Sequence, residues 1–217
     1  MIRCSSIDKI MTEPQKKGAE WSETAKAAML EAAREQLFGV RRNIDDVKAI
    51  QKGRMCEDLG IALYNDVFLY DLKKIPSDGR RSNGIITGEP DLVAASSRKG
   101  VDIKIAWSLL TFPLTAEQAD AKGYEWQARG YMCLFDLPVW EIAYCAIDTP
   151  GELLREWDDQ AIHVIDSAIP LHHRITVARY TRDTEIEKKM LDKCAAANEW
   201  IETAVKQFAI EHDKYIE

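Results

Sequence analysis

Gly88-Glu89-Pro90-Asp91-Leu92-Val93 and, one turn later, Val101-Asp102-Ile103-Lys104-Ile105 are the segments on which the reading of this chain turns. In the second, apolar residues hold the odd positions and charged residues the even ones, the period of a strand with one face in a core. Asp102 and Lys104 then project together from the other face. Between the two segments, Ser96-Ser97-Arg98-Lys99-Gly100 reads as a hairpin turn. A hairpin centred near Ser97 pairs Asp91 opposite Lys104 with Asp102 diagonally across, so two carboxylates and an ammonium share one small surface. Pro90 cannot donate to a ladder and marks an edge or a bulge. Glu89 is a rival to Asp91 on the same strand.

Working outward, Ala19 to Phe38 carries Trp21, Ala25, Ala28, Met29, Ala32 and Ala33 at helical spacing, with Gly39 as a stop. A second helix is expected from Arg54 to Tyr70, with Met55, Leu59, Leu63 and Val67 along one face. Pro76 to Gly79 form a loop that leads into Arg80-Arg81. Ile85 and Thr87 open a strand pair that runs from Gly84 to Trp107. Beyond Pro113 a helical region extends through Tyr124, Gln127, Tyr131 and Leu134, followed by a strand from Val139 to Ile147. A helix around Leu153 to Ile165, a strand around Arg174 to Tyr180 and a last helix from Asp183 to about His212 complete the order. This pattern predicts a mixed α/β core with helices on at least one face.

With 217 residues, 46% of them hydrophobic and 30% charged, and only 7 Pro and 11 Gly, the chain is expected to be a single domain over 1–217. No apolar run approaches the roughly 18 residues of a membrane helix, and the first residues lack a signal core. A soluble, unexported protein that does not engage membranes is expected. Cys4, Cys56, Cys133, Cys145 and Cys194 are scattered, without a CxxC pair, which argues against a disulfide framework or a zinc finger and for a reducing cytoplasm. The 36 acidic against 29 basic residues oppose non-specific adhesion to polyanions, although a site built from carboxylates and cations is not ruled out by net charge.

Two carboxylates beside a lysine suit phosphodiester hydrolysis. Hard oxygen ligands hold Mg2+ or Mn2+, and an ammonium can orient water and offset developing negative charge. The Ile103 carbonyl, sideways from the strand, is an additional candidate ligand. Glu57 in KGRMCEDLGIALYN, Asp91 in GEPDLV, Asp102-x-Lys104 in VDIKIAW, and Gln127 with Tyr131 in EWQARGYM together resemble the PD-(D/E)xK nuclease superfamily, in its phage lambda-type, RecB-like and YqaJ-like exonuclease branch. The resemblance implies a restriction-endonuclease-like mixed β-sheet core flanked by helices and a metal-dependent DNA exonuclease of phage-type recombination or DNA processing. By that resemblance Asp91 and Asp102 bind metal, Glu57 assists at the metal or its water, Lys104 supports the nucleophile, and Gln127 supports the site. Ser6, Arg80, Arg81 and Tyr131 are candidate DNA contacts. Linear duplex DNA, a single-strand annealing protein and a homo-oligomer are the partners it implies.

The chain departs from the cluster-bearing members of that branch, because its late cysteines are too dispersed to hold iron-sulfur; no cluster is expected. It also has no GxxxxGK[ST] motor motif. His163, His172, His173 and His212 lack the spacing of a zinc site, and no GxSxG supports a serine hydrolase. Trp21, Trp107, Trp126, Trp140, Trp157 and Trp200 are expected in the core rather than as base-stacking platforms. Asp102 and Lys104 taken alone would read as a surface pair, and Glu57 beside Asp58 as a solvated helix face. The alternatives are an endonuclease with the same core and a catalytically silent DNA-binding module; the presence of Glu57, Asp91, Asp102 and Lys104 together favours the enzyme.

Overall fold

A computed structural model of the protein describes residues 1–41, 43–121 and 123–214. In chain order its elements are β1 (Ile2–Arg3), α1 (Ile7–Ile10), α2 (Glu23–Phe38), α3 (Lys48–Met55), α4 (Glu57–Phe68), β2 (Arg81–Ser82), β3 (Ile86–Gly88), β4 (Leu92–Ala94), β5 (Lys99–Ile105), α5 (Ala116–Asp120), α6 (Glu125–Phe135), β6 (Val139–Cys145), β7 (Ile175–Thr181) and α7 (Thr184–Asp213). The main sheet has the order β4-β5-β6-β7 and a small one the order β1-β3-β2. Both are mixed, where the resemblance implies one mixed sheet: β5 and β6 are parallel, whereas β4 and β7 run antiparallel to their neighbours, and β3 pairs parallel with β1 and antiparallel with β2. A parallel pair needs a crossover, and α5 and α6 supply it.

Alternation along β5 and β6 sends two sets of side chains to two helical layers. Val101, Ile103, Ala143 and Cys145 face α4 and pack with its Ile61, Leu63 and Tyr64. Trp140, Ile142 and Tyr144 join Ala128, Tyr131 and Met132 of α6 in a larger core that continues into α1, α2 and α7. Both faces are therefore covered, and Asp102 and Lys104, of even parity, lie on the α6 side. Two glycines permit the close approaches. A Cβ on Gly60 would lie 2.6 Å from Ile105 Cδ1 and 2.7 Å from Ile103 Cγ2, and one on Gly100 would collide with the Trp140 ring.

Several expected elements change. Ser22, whose side chain accepts from Ala25 N, caps α2 and delays its start from Ala19 to Glu23; Gly39 at φ 66 ends it. The helix expected from Arg54 to Tyr70 breaks at Cys56 into α3 and α4. Half of its predicted face holds: Leu63 is buried and Val67 packs against the core, whereas Met55 and Leu59 are 44% and 57% exposed, because a stripe at every fourth residue drifts around the helix. The buried positions are Gly60, Ile61, Leu63 and Tyr64.

The helix expected at Leu153–Ile165 is absent. Only single 3-10 turns form there, at Gly151–Leu153 and Gln160–Ile162. Asp148, Asp158 and Asp159 accept from the backbone N–H groups of Ile165, Arg155 and Ala161, taking donors that a helix ladder needs. Lys99, expected in the turn, is the first residue of β5 and is buried, where its ammonium donates to Glu141 at 2.9 Å. Trp21 and Trp140 are in the core as expected, but Trp157 is 75% exposed. No helix among the described residues is long and apolar enough to cross a membrane.

Candidate active site

The hairpin closes with Ala94 opposite Lys99 and Leu92 opposite Val101, so Asp91 comes to Asp102 and not to Lys104. The turn is centred one residue earlier than expected, with Arg98 at φ 48 completing it. One residue at the turn becomes two in the pairing, and parity is kept, so both carboxylates still occupy one face. Asp91 lies just outside the ladder, where Pro90 ends the pairing, and its Oδ2 accepts from Ile103 N at 2.7 Å. Asp102 is 2% exposed and is ion-paired through Oδ2 with Lys104. That oxygen is otherwise without a hydrogen-bond partner among the described residues.

The electrostatics follow from this crowding. Burial first, and then the charge of Asp102, push the Asp91 carboxyl well above the usual carboxylate range, against the opposing pull of Lys104 and the Ile103 N–H. Burial pulls the Lys104 ammonium down, but Asp102 and Asp91 outweigh it, and its pKa is raised. Lys104 is therefore a cation at neutral pH.

Glu57, the first residue of α4, reaches the site from the opposite layer. Its Oε2 accepts from Lys74 Nζ at 2.6 Å, while its charge acts on Asp91. Gln127 and Tyr131 form a relay one helical turn apart: Gln127 Nε2 donates to the Tyr131 hydroxyl at 3.2 Å, which donates to the Glu89 carbonyl at 2.9 Å. This relay braces the peptide leading into Pro90-Asp91. The Glu89 carboxylate turns to Arg80 at 3.2 Å, which leaves Asp91 as the group facing Asp102. Arg81 lies 4.4 Å over the Phe135 ring. Ser6 lines a separate cleft with Arg3, Lys9, Glu35 and Arg41, in which Arg3 donates to both Glu35 oxygens. No hydrogen bond or ion pair among the described residues ties Ser6, Arg80 or Arg81 to the carboxylate pair.

A divalent cation fits these residues. Burial and the charge of Asp102 hold Asp91 above the usual carboxylate range, and the buried Asp102 Oδ2 has no hydrogen-bond partner among the described residues beyond its ion pair with Lys104, a crowding that a hard cation would relieve. Among the described residues no three His, Cys, Asp or Glu side chains converge closely enough to hold a metal alone. Main-chain oxygen and water would have to complete the shell, which is the habit of Mg2+.

Residues without an assigned role in the sequence also meet here. Lys104 Nζ stands 4.7 Å over the Tyr124 ring. Behind the end of β5, the buried Lys52 ammonium donates to the carbonyls of Ala106 at 2.8 Å and Trp107 at 3.0 Å. Thr149 Oγ1 also donates to the Trp107 carbonyl, at 3.1 Å, and lies 3.0 Å from His163 Nδ1. Only the recurrence of Tyr124 one turn before Gln127 was a signal in the sequence; the Lys52 contacts span the fold and left none.

No family model matches the chain, and no curated protein sequence matches it. Solved structures do. A phage-related exonuclease from Haemophilus somnus 129PT superposes with a TM-score of 0.87 at 31% identity, covering 95% of this chain and 96% of that one. An alkaline exonuclease from Laribacter hongkongensis shares the fold, with a TM-score of 0.69 at 14% identity over 99% of this chain and 94% of its own. The same enzyme in complex with dAMP aligns at 15% identity with a TM-score of 0.69. Identity and coverage with the Haemophilus protein, together with the hairpin site, lead to one assignment: the chain belongs to the phage-related exonucleases.

Proposed function

We propose that the chain is a Mg2+- or Mn2+-dependent DNA exonuclease of the PD-(D/E)xK kind, a single domain over 1–217 that removes nucleotides from the ends of linear duplex DNA. The observation that carries this reading is the placement of Asp91 beside Asp102 just beyond the end of the hairpin ladder, with Lys104 ion-paired to Asp102. Membership of the exonuclease family supports the reaction class.

Asp91, Asp102 and the Ile103 carbonyl would hold the cation, with Glu57 joining on release from Lys74. When bound, the cation would lower the pKa of water beside it and offset phosphoryl charge. Lys104, kept protonated by two carboxylates, acts as a donor rather than a base: its ammonium orients the attacking water and balances charge on the phosphate. The Gln127–Tyr131–Glu89 relay fixes the lead into Asp91, so the carboxylates keep their spacing as substrate enters. Arg80, Arg81 and Ser6 supply phosphate contacts along the path of the duplex. The five free thiols fit a reducing cytoplasm. A homo-oligomer and a single-strand annealing partner belong to the same reading.

Release of acid-soluble nucleotide from linear duplex DNA tests it. Release is expected with Mg2+ or Mn2+ and none with EDTA; equal release in EDTA, or none with either metal, would remove the reading.

A further inference from the structure

A lysine that serves an attacking water must have its ammonium held in one direction, and a single ion pair leaves a flexible side chain free to swing about it. Lys104 has Asp102 two residues away on the same face, and the two are ion-paired. A second group also meets the ammonium. The Tyr124 ring centroid is 4.7 Å from Lys104 Nζ, well within cation–π range. Lys104 is only 23% exposed in its side chain, so little water competes for the ammonium.

The ring itself is fixed. Tyr124 is the N-cap residue of α6, so the start of the helix sets its backbone. Tyr144, which pairs with Lys104 across β5 and β6, packs edge-on against it with centroids 6.2 Å apart at 61°. One turn on, Gln127 opens the relay to Glu89. Strand, neighbouring strand and helix thus converge on one ammonium.

We propose that Tyr124 is a positioning residue for Lys104, its ring face acting with the Asp102 ion pair to fix the ammonium so that it points where the attacking water sits. The inference rests on the function proposed above for Lys104. It requires the π face of Tyr124 and not its hydroxyl.

Two measurements test it, one of them independent of activity. In NMR spectra of the DNA-free and metal-free protein, the Lys104 ε-protons should be shifted upfield by the ring current in wild type and in Tyr124→Phe, and return toward random-coil values in Tyr124→Leu. Unshifted ε-protons in wild type would overturn the proposal even if the protein digests DNA. In single-turnover digestion of a linear duplex, Tyr124→Leu should lower the rate about tenfold, equivalent to about 1.4 kcal/mol in the barrier, with KM within about twofold of wild type. Tyr124→Phe should remain near wild type. Loss in Phe equal to that in Leu, wild-type rates in Leu, or a change confined to KM would each overturn the inference. Should the Leu variant unfold, mono-, di- and trifluorinated phenylalanine at 124 weaken the ring face at nearly constant size, and a rate that does not fall along that series would refute it. If wild-type protein digests no DNA, the enzymatic reading falls, and the NMR shift alone decides the Lys104–Tyr124 contact.

Discussion

Lys52 offers a test of the physical reasoning that needs no substrate. Its ammonium is 1% exposed and donates to two carbonyls at the end of β5, the strand that carries Asp102 and Lys104. Burial pulls its pKa from 10.5 to about 8, against the opposing charges of Cys56 and Asp148. In the unfolded chain the pKa returns to about 10.4. Between pH 8 and 10.5 the unfolded state therefore binds more protons than the folded one, and stability must rise with pH across that window. The fall to about 8 is worth roughly 3 kcal/mol at 1.36 kcal/mol per pH unit. Lys52→Met removes this slope while also removing the hydrogen bonds to Ala106 and Trp107, a loss of roughly 1.5–3 kcal/mol for a charged donor. At pH 7 the two effects of the substitution nearly cancel, and at pH 10 the wild type should lead by a few kcal/mol. Cys56 interacts with the Lys52 charge, and burial pushes its own thiol up, so the comparison is made in a Cys56→Ala background, by urea unfolding at steps from pH 7 to 10.5. A stability difference between the two proteins that stays constant over that range would refute the account of Lys52.

Asp91→Asn should leave metal-free stability unchanged or raise it by about 1 kcal/mol, roughly 2–4 °C in Tm, because it removes one of two crowded carboxylates while keeping an acceptor for Ile103 N. Digestion and the thermal shift with Mn2+ should both be lost; a retained Mn2+ shift would show that Asp91 is no ligand. Tyr131→Phe should cost about 1 kcal/mol by removing the hydrogen bond to the Glu89 carbonyl. Adding Gln127→Ala should then reduce activity little further, since both residues act through one hydroxyl, and fully additive rate losses would break the relay. Tyr144→Phe removes a buried hydroxyl without a partner among the described residues, so its urea midpoint should equal or exceed wild type; a drop of more than about 1 kcal/mol would reveal a partner.

The site was legible where chemistry and strand parity coincide. The alternation around Asp102 and Lys104 placed both on one face, and that face is the one α6 covers with Gln127 and Tyr131. The register was harder, because it depends on where a turn of ordinary residues closes, and Arg98 at positive φ is no sequence signal. The helix expected at Leu153 failed for a local reason: aspartates in that stretch hydrogen-bond the backbone instead of letting it coil. Likewise, Cys56 breaks a helix without the Gly or Pro that announces a break. Tyr124, Lys74 and Lys52 act through partners far away in sequence, and such contacts exist only once the sheet has formed.

The most direct test of the central claim sets wild type beside Lys104→Ala on linear duplex DNA and on the same DNA as a closed circle, in Mg2+ and in Mn2+. The account predicts that wild type degrades the linear DNA alone, while Lys104→Ala, checked as folded by circular dichroism, degrades neither. Degradation of the linear DNA by Lys104→Ala at the wild-type rate would contradict the assigned site, and cutting of the closed circle would contradict an exonuclease.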